Sequence, residues 1–151
     1  MKLADLVTYL DTELRIADIP DYPNAYNGLQ LENASGKVSK VVAAVDATLP
    51  VIGKAVALGA DLLIVHHGMF WNTAQPWTGP VFQKMKLAID AGLAVYSCHL
   101  PLDFHPVLGN DAGVARAVEI DHPRTRRGEG RVSRIAEVDR LPRKQRVADG
   151  R

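Results

Sequence analysis

The sequence predicts an α/β domain with a largely parallel sheet that helices cover on both faces. Short runs rich in Val, Ile and Leu alternate with segments of helical periodicity, and the runs carry few polar residues, as strands buried on both faces do. A glycine ends several of the helical segments. With 151 residues, of which 47% are hydrophobic, the chain is long enough for one compact domain with its own core.

The chain is expected to open with an amphipathic helix, followed by a loop and then a strand. Leucines and a valine recur at helical spacing over residues 3–14, and this helix should end before Pro20. Residues 21–30 contain two asparagines, a proline and a glycine, so a loop with tight turns is expected there. The β-branched run at 38–46 predicts the first strand, which ends at Asp46.

The same two periodicities predict the remaining helices and strands of the first 122 residues. Helices are expected at 52–58, 81–91 and 109–119, and strands at 62–67 and 93–99. Asn110 or Asp111 is expected to cap the last of these helices, and the element order is therefore α-β-α-β-α-β-α.

Composition argues against several classes of protein. The 18 basic and 17 acidic residues leave a formal net charge of +1, which does not favour general nucleic-acid binding. Cys98 is the single cysteine, so no internal disulfide can form. No apolar run approaches the ~20 residues that cross a bilayer, and acidic residues interrupt the N-terminal apolar pattern, which argues against a signal peptide. A cytoplasmic protein without membrane contact is expected.

The charge is unevenly distributed along the chain. Residues 1–122 hold 8 basic and 13 acidic residues, a balance of −5, whereas residues 123–151 hold 10 and 4, a balance of +6. The segment 131–139 alternates like a single strand, and the last 29 residues contain too few apolar side chains to build a core. We therefore expect an α/β lobe at 1–122 followed by a basic tail at 123–151.

Chemically active side chains stand at the ends of all three predicted strands. In open α/β sheets, ligands bind outside the carboxyl ends of the strands. These ends carry Asp46, the pair His66 and His67, and His99, with Asp103 four residues further on. Imidazole and carboxylate groups together suit Zn, Fe, Mn, Co or Ni. We predict a metal site formed by His66, His67, His99 and Asp103, with no further catalytic residue assigned.

Each of these assignments has a simpler alternative. One histidine of the pair could pack against Phe70 and Trp71 while the other is solvated, and Gly68 is expected to supply the backbone freedom that turns both toward one side. Asp46 could support the metal or cap the following helix. Pro101 argues against a helix at 99–103, so Asp103 is expected on a rigid loop, unless it caps a short turn or helix.

For several other residues, the sequence gives less support for a functional role. Cys98 is expected to be a packed core thiol and Asp61 a structural residue, whereas His105 is a candidate for supporting the metal ligands and His122 is expected on the surface. The aromatic residues Phe70, Trp71 and Trp77 could line a substrate site, or could belong to the core or to a subunit contact.

Common nucleotide-loop, zincin and hydrolase motifs are absent, but other segments resemble a known family. The segment DLLIVHHGMFW (61–71) resembles the signature of the dinuclear metal-centre family related to NGG-one-interacting factor three, whose bacterial members are called type 2 GTP cyclohydrolase I homologues. Five other segments resemble further stretches of that family, which occur in the same order along the chain. They are NGLQ (27–30), VAAVDAT (42–48), SCHLPLD (97–103), GND (109–111) and GRVSRIAE (130–137).

The resemblance implies a fold of two similar α/β lobes, two divalent metal ions per subunit and assembly into a hexamer. It carries the metal-site role onto His66, His67, His99 and Asp103. No histidine follows His122, so the family's later His-x-x-x-Glu ligands are missing, and the chain is expected to be truncated at its carboxyl end, inside the second lobe. The predicted function is metal-dependent hydrolysis of a small, nucleotide-like substrate. The alternative is a non-catalytic metal-binding, scaffold or regulatory subunit, and loss of the later ligands could abolish activity.

Overall fold

The computed structural model describes residues 1–71 and 75–117 of the chain. Nine elements follow one another along these residues, and each name used below refers to these bounds. They are α1 (Leu3–Glu13), β1 (Gly28–Leu31), β2 (Val41–Asp46), α2 (Leu49–Ala57), β3 (Leu62–His67), α3 (Gly79–Asp90), β4 (Ala94–Ser97), α4 (Leu100–Asp103) and α5 (Asn110–Ala117). The α/β prediction is confirmed.

The four strands form one sheet in the order β1-β4-β3-β2. Strands β2, β3 and β4 are parallel, and β1 pairs antiparallel with β4 at one edge. The carboxyl ends of the three parallel strands therefore lie at the same edge of the sheet, as the sequence predicted. In the register of β2 and β3, Asp46 stands directly opposite His67.

Alternate residues of the central strands enter two separate hydrophobic cores, one on each face of the sheet. On one face, α2 and α3 pack against Leu63, Val65 and Val95. On the other face, α1 packs against Leu62, Ala94 and Tyr96. Both β3 and β4 are thus covered on both sides, which explains their near-continuous apolar sequence.

The predictions for residues 21–30 and for the segment after His99 were wrong. The predicted loop at 21–30 ends in the edge strand β1, whose four residues include polar Gln30 and are too few to show a clear alternation. The segment after His99 is a one-turn helix, α4, rather than an irregular loop. Pro101 lies in its first turn, where a missing backbone N–H costs no helical hydrogen bond.

The predicted cap Asp111 lies inside α5, and the helix begins at the other candidate, Asn110, which therefore does not precede it as a cap. Its side chain instead donates to Asp103 Oδ1 at 2.6 Å. None of the helices within the described ranges is both long and apolar enough to span a bilayer. The predicted tail at 123–151, with its strand at 131–139, falls outside the described residues, as does His122.

Candidate metal centre

Three histidines converge at the carboxyl edge of the sheet. His66 and His67 end β3, and His99 lies two residues beyond β4. The ring centroids are 4.6 Å apart for His66 and His67, 4.8 Å for His66 and His99, and 5.5 Å for His67 and His99. One ligand-capable atom from each residue lies within 4.8 Å of the other two. These three side chains could hold a metal ion.

In each of the three imidazoles, Nδ1 faces an oxygen that can only accept a hydrogen bond. His66 Nδ1 lies 3.1 Å from the carbonyl oxygen of Cys98, and His67 Nδ1 lies 2.7 Å from Asp46 Oδ1. His99 Nδ1 lies 3.0 Å from Asp21 Oδ1. Nδ1 must therefore carry the proton, and in the neutral ring the lone pair is on Nε2. This is the arrangement in which proteins hold metal-binding histidines.

Asp46 supports His67 and does not cap the next helix. The N-cap position of α2 is Thr48, and no side chain caps that end. The pairing of Asp46 with His67 across β2 and β3 places the carboxylate beside the ring. The capping alternative drawn from the sequence is therefore wrong, and support of a metal ligand through His67 stays a prediction.

Asp21 anchors the most buried histidine of the three. Its side chain is only 5% exposed, and that of His99 is 11% exposed. The Asp21 carboxylate accepts three hydrogen bonds besides the contact with His99. The donors are Asn27 Nδ2 at 2.8 Å and the backbone N–H groups of Leu100 at 2.9 Å and Tyr22 at 2.7 Å. The ring of His99 is thus held by a carboxylate whose own oxygens are fully engaged.

Burial alone would raise the pKa of the Asp21 carboxyl, but the hydrogen bonds outweigh it. Donors from Asn27, His99, Leu100 and Tyr22 stabilise the charged form, and together they hold the pKa below its usual value of 3.8. Asp21 is therefore ionised near neutral pH. An ionised partner makes the imidazole a better electron-pair donor through its other nitrogen.

Asn27 fixes the backbone on which His99 stands. Its Oδ1 accepts a hydrogen bond from the backbone N–H of His99 at 2.7 Å, while its Nδ2 donates to Asp21. One side chain thus ties the loop before β1 to the residues after β4. Both the ring and the backbone of His99 are positioned by residues more than 70 positions earlier in the chain.

Asp103 lies at the open side of the cluster. Its Oδ2 is 3.6 Å from His66 Nε2, and its Oδ1 accepts a hydrogen bond from Asn110. The short helix α4 carries Asp103 back toward β3, so the structure brings the fourth predicted residue beside the three histidines. The carboxylate is 26% exposed and remains reachable from solvent.

Gly68 has a different role from the predicted one. Its φ is not in the left-handed region, so it does not supply unusual backbone freedom. A Cβ at this position would instead lie 2.2–2.6 Å from the side-chain amide of Gln30. That amide accepts from the backbone N–H of Met69 at 2.6 Å and donates to the carbonyl oxygens of Ala25 and Tyr26. Gly68 therefore leaves room for Gln30 to bind the loop after β3.

The three aromatic residues after the histidines have separate locations. Trp71 packs against the cluster, with its ring centroid 4.5 Å from His99 and 5.1 Å from His67. Phe70 packs on the core beneath α2 and α3 and against Tyr26. Trp77 is 53% exposed. Trp71 alone of these three borders the site.

Other residues named from the sequence lie elsewhere. His105 Nδ1 accepts hydrogen bonds from the backbone N–H groups of Val107 and Leu108, and its Nε2 lies 3.2 Å from the carbonyl oxygen of Glu13, so the suggested support of the metal ligands is wrong. Asp61 is structural, as expected, and accepts from the backbone N–H groups of Ser39 and Lys40. Cys98 is buried, and burial raises the pKa of its thiol to about 12.

Sequence reasoning missed Asp21 and Asn27 as residues of the site. Asn27 had one signal, since it begins the segment NGLQ (27–30) that resembles a family motif. Asp21 had none, because it stands alone in a segment predicted to be a loop. Only the tertiary fold shows that this loop lies against the residues that follow β4.

Comparison with known proteins agrees with the fold and the motifs. The family model described as Duf34/NIF3 (NGG1p interacting factor 3) matches residues 1–145. A protein named GTP cyclohydrolase 1 type 2 homolog in Deinococcus radiodurans is 42% identical over 116 residues, covering 77% of this chain and 43% of its own length. The protein of that name in Treponema pallidum is 39% identical over 118 residues, covering 78% and 41%.

Solved structures of other proteins match the fold of this chain. TTHA1606 of Thermus thermophilus superimposes with a TM-score of 0.72 at 42% identity, covering 77% of this chain and 47% of that one. Reduced HcgD from Methanocaldococcus jannaschii has a TM-score of 0.71 at 26% identity, covering 82% and 49%. This chain thus spans less than half the length of these relatives. The match over residues 1–145, together with these identities, shows that the chain belongs to the Duf34/NIF3 family.

Proposed function

We propose that the histidine cluster binds divalent metal and that the bound metal serves hydrolysis of a small molecule. The observation that carries the proposal is the orientation of the three rings, each with Nδ1 bonded to a carbonyl or carboxylate oxygen. Metal-binding histidines almost always donate the N–H of their other ring nitrogen to a carboxylate, a backbone carbonyl or a water. The donor set of three imidazoles and a nearby carboxylate also suits Zn, Fe, Mn, Co or Ni.

A divalent ion held at this position would supply Lewis-acid chemistry, which includes lowering the pKa of a bound water toward neutrality. His66, His67 and His99 would hold it, with Asp103 as a further oxygen donor. Asp21 and Asp46 keep two of the rings in the required tautomer. Trp71 packs against His99 on one side of the cluster and would help to exclude bulk water there.

The resemblance implies two ions per subunit, and we keep this as part of the proposal. His66 and His67 are adjacent in sequence, and Asp103 lies beside His66, so these residues with His99 would be the donors available to hold two ions. The names of the relatives suggest a cyclohydrolase, which would be one kind of hydrolysis at such a centre.

Metal analysis of the purified chain tests the proposal. The chain is treated with chelator, loaded in turn with each of the five metals, desalted and analysed by plasma mass spectrometry. The wild type is expected to retain between one and two equivalents of at least one metal. His99→Ala should retain at least about tenfold less at limiting metal, because a ligand is lost.

His105→Ala is the matched control, since His105 lies outside the cluster and should leave the metal content unchanged. Thermal melting of each variant verifies folding. A screen with phosphoester, amide and cyclic amidine substrates then follows on the loaded wild type. Metal retention without any hydrolysis would favour the non-catalytic metal-binding module, and absence of retention under all five loadings would refute both.

A further inference from the structure

A cleft of about 370 Å³ opens beside the histidine cluster. His67, Asp46 and Trp71 form the side that it shares with the cluster, and Thr48 and Leu49 at the start of α2 form another side. Lys84 of α3 stands among the lining residues. The volume is at the lower end of the range that small-molecule sites occupy. A molecule bound here would therefore lie against His67.

Lys84 supplies positive charge to a cleft whose described lining contains one carboxylate. That carboxylate, Asp46, is already engaged with His67. Lys84 forms no ion pair among the described residues, and its Nζ donates to the carbonyl oxygen of Met69 at 3.3 Å. An ammonium group has three donors, so this contact leaves the group able to bind an incoming acceptor.

The position of Lys84 is unusual for a lysine that has no acidic partner in the part of the chain that the structure describes. The side chain is half-buried, and burial lowers the pKa of its amine below the usual value of 10.5. Keeping a charge in such surroundings costs free energy unless a counter-charge is bound. Lys86, two residues further along the same helix, has the usual surroundings of a lysine, because its side chain is exposed and forms an ion pair with Asp90.

We propose that Lys84 binds an anionic group of the substrate, a phosphate or a carboxylate, and so directs the rest of the molecule toward His67. The direction of the substrate rests on the proposed metal-dependent function, whereas the contact between Lys84 and the anion does not require metal. The substrate class is therefore a small anionic molecule whose reactive part lies away from its charged group.

Isothermal titration calorimetry on the chelator-treated full chain tests the anion contact directly. Inorganic pyrophosphate and succinate are titrated separately, so that the two arms distinguish a phosphate site from a carboxylate site. The wild type is expected to bind at least one of them. Lys84→Met should weaken that binding by about tenfold or more, because a charge-assisted contact is lost.

Two variants make the outcome specific. Lys84→Arg keeps the charge and should retain binding within a few-fold, and Lys86→Met removes a neighbouring charge from the same helix and should leave binding unchanged. Circular dichroism verifies that each variant is folded. Absence of binding by the wild type at millimolar ligand, or equal binding by Lys84→Met, would overturn the anion site. If the chain retained no metal but still bound the anion through Lys84, the proposed metal-dependent function would be overturned and the anion site would stand.

Discussion

His99 Nδ1 lies 3.0 Å from Asp21 Oδ1, although the two residues are separated by 78 positions in the chain. Both side chains are almost fully buried. The contact joins the loop before β1 to the segment after β4, and it determines which nitrogen of His99 is available to a ligand. The geometry of the candidate centre thus depends on a residue that would not itself touch a metal ion.

Replacement of Asp21 should therefore weaken metal binding without removing a ligand. In Asp21→Asn the negative partner of His99 is lost, and the affinity for metal is expected to fall by about 10- to 100-fold. Competition with a chromophoric chelator measures this change. Asp18→Asn is the control, because Asp18 is exposed and its ion-pair partner within the described residues is Arg15, which lies outside the cluster. Equal affinity in wild type and Asp21→Asn would show that the ring of His99 needs no carboxylate.

Asp21 should also contribute to stability in a pH-dependent way. Its pKa in the folded chain is below the ordinary 3.8, so the unfolded chain binds the proton more readily. The stabilisation is complete above the unfolded pKa and is lost as the pH falls through the folded pKa. Urea unfolding from about pH 5 to about pH 3 should therefore show a steeper fall in the wild type than in Asp21→Asn. Parallel curves for the two proteins would contradict this role.

Gly109 and Gly113 should respond oppositely to the same substitution. A Cβ on Gly109 would lie 2.4–2.8 Å from the carbonyl oxygens of His105, Asp103 and Leu102, whereas a Cβ on Gly113 would meet nothing within 4 Å. Gly109→Ala is expected to destabilise the fold by about 1–3 kcal/mol, since backbone must shift. Gly113→Ala, inside α5, should stabilise it by about 0.5–1 kcal/mol.

Chemical denaturation of both variants measures these differences in the free energy of unfolding. The Gly109 substitution should additionally disturb Asp103, because one of the crowded oxygens is its own carbonyl. If Gly109→Ala were as stable as the wild type, the close approach of α4 to the start of α5 would be refuted.

Cys98 should be unreactive in the folded chain. Burial raises its pKa to about 12, and its side chain is almost inaccessible. Labelling with a disulfide reagent at pH 8 should proceed only as fast as the chain unfolds, and it should become rapid in denaturant. Complete labelling within minutes under native conditions would contradict the assignment of Cys98 as a core thiol.

The parts of the fold that the sequence predicted are those that depend on local pattern. The apolar runs ending at Asp46, His67 and His99 showed the parallel strands, and the rule on carboxyl ends placed these residues at one edge. Strand β1 was missed because its four residues, GLQL, give too short a pattern, and because its pairing partner lies more than 60 residues away. Pro101 misled the prediction of α4 because a proline is harmless in a first helical turn.

From the sequence, the site could be predicted for the residues at strand ends and for Asp103, which follows His99 closely in the chain. Asp21, Asn27 and Lys84 come from a loop and from a helix face, and no spacing in the sequence relates them to the histidines. Gly68 was predicted to matter for its backbone freedom, but what requires a glycine there is the space that the side chain of Gln30 occupies. Gln30 belongs to the edge strand β1, which the sequence did not predict. Contacts of this kind arise from the packing of distant segments.

An anomalous difference map from crystals of the metal-loaded chain tests the central claim most directly. We expect one or two strong peaks, with Nε2 of His66, His67 and His99 each ~2.0–2.1 Å from a peak, as for Zn²⁺ bound by imidazole. The contacts from Nδ1 to Cys98, Asp46 and Asp21 should remain in place. A metal peak located elsewhere, or coordination through Nδ1 after the rings have turned away from these partners, would contradict the account.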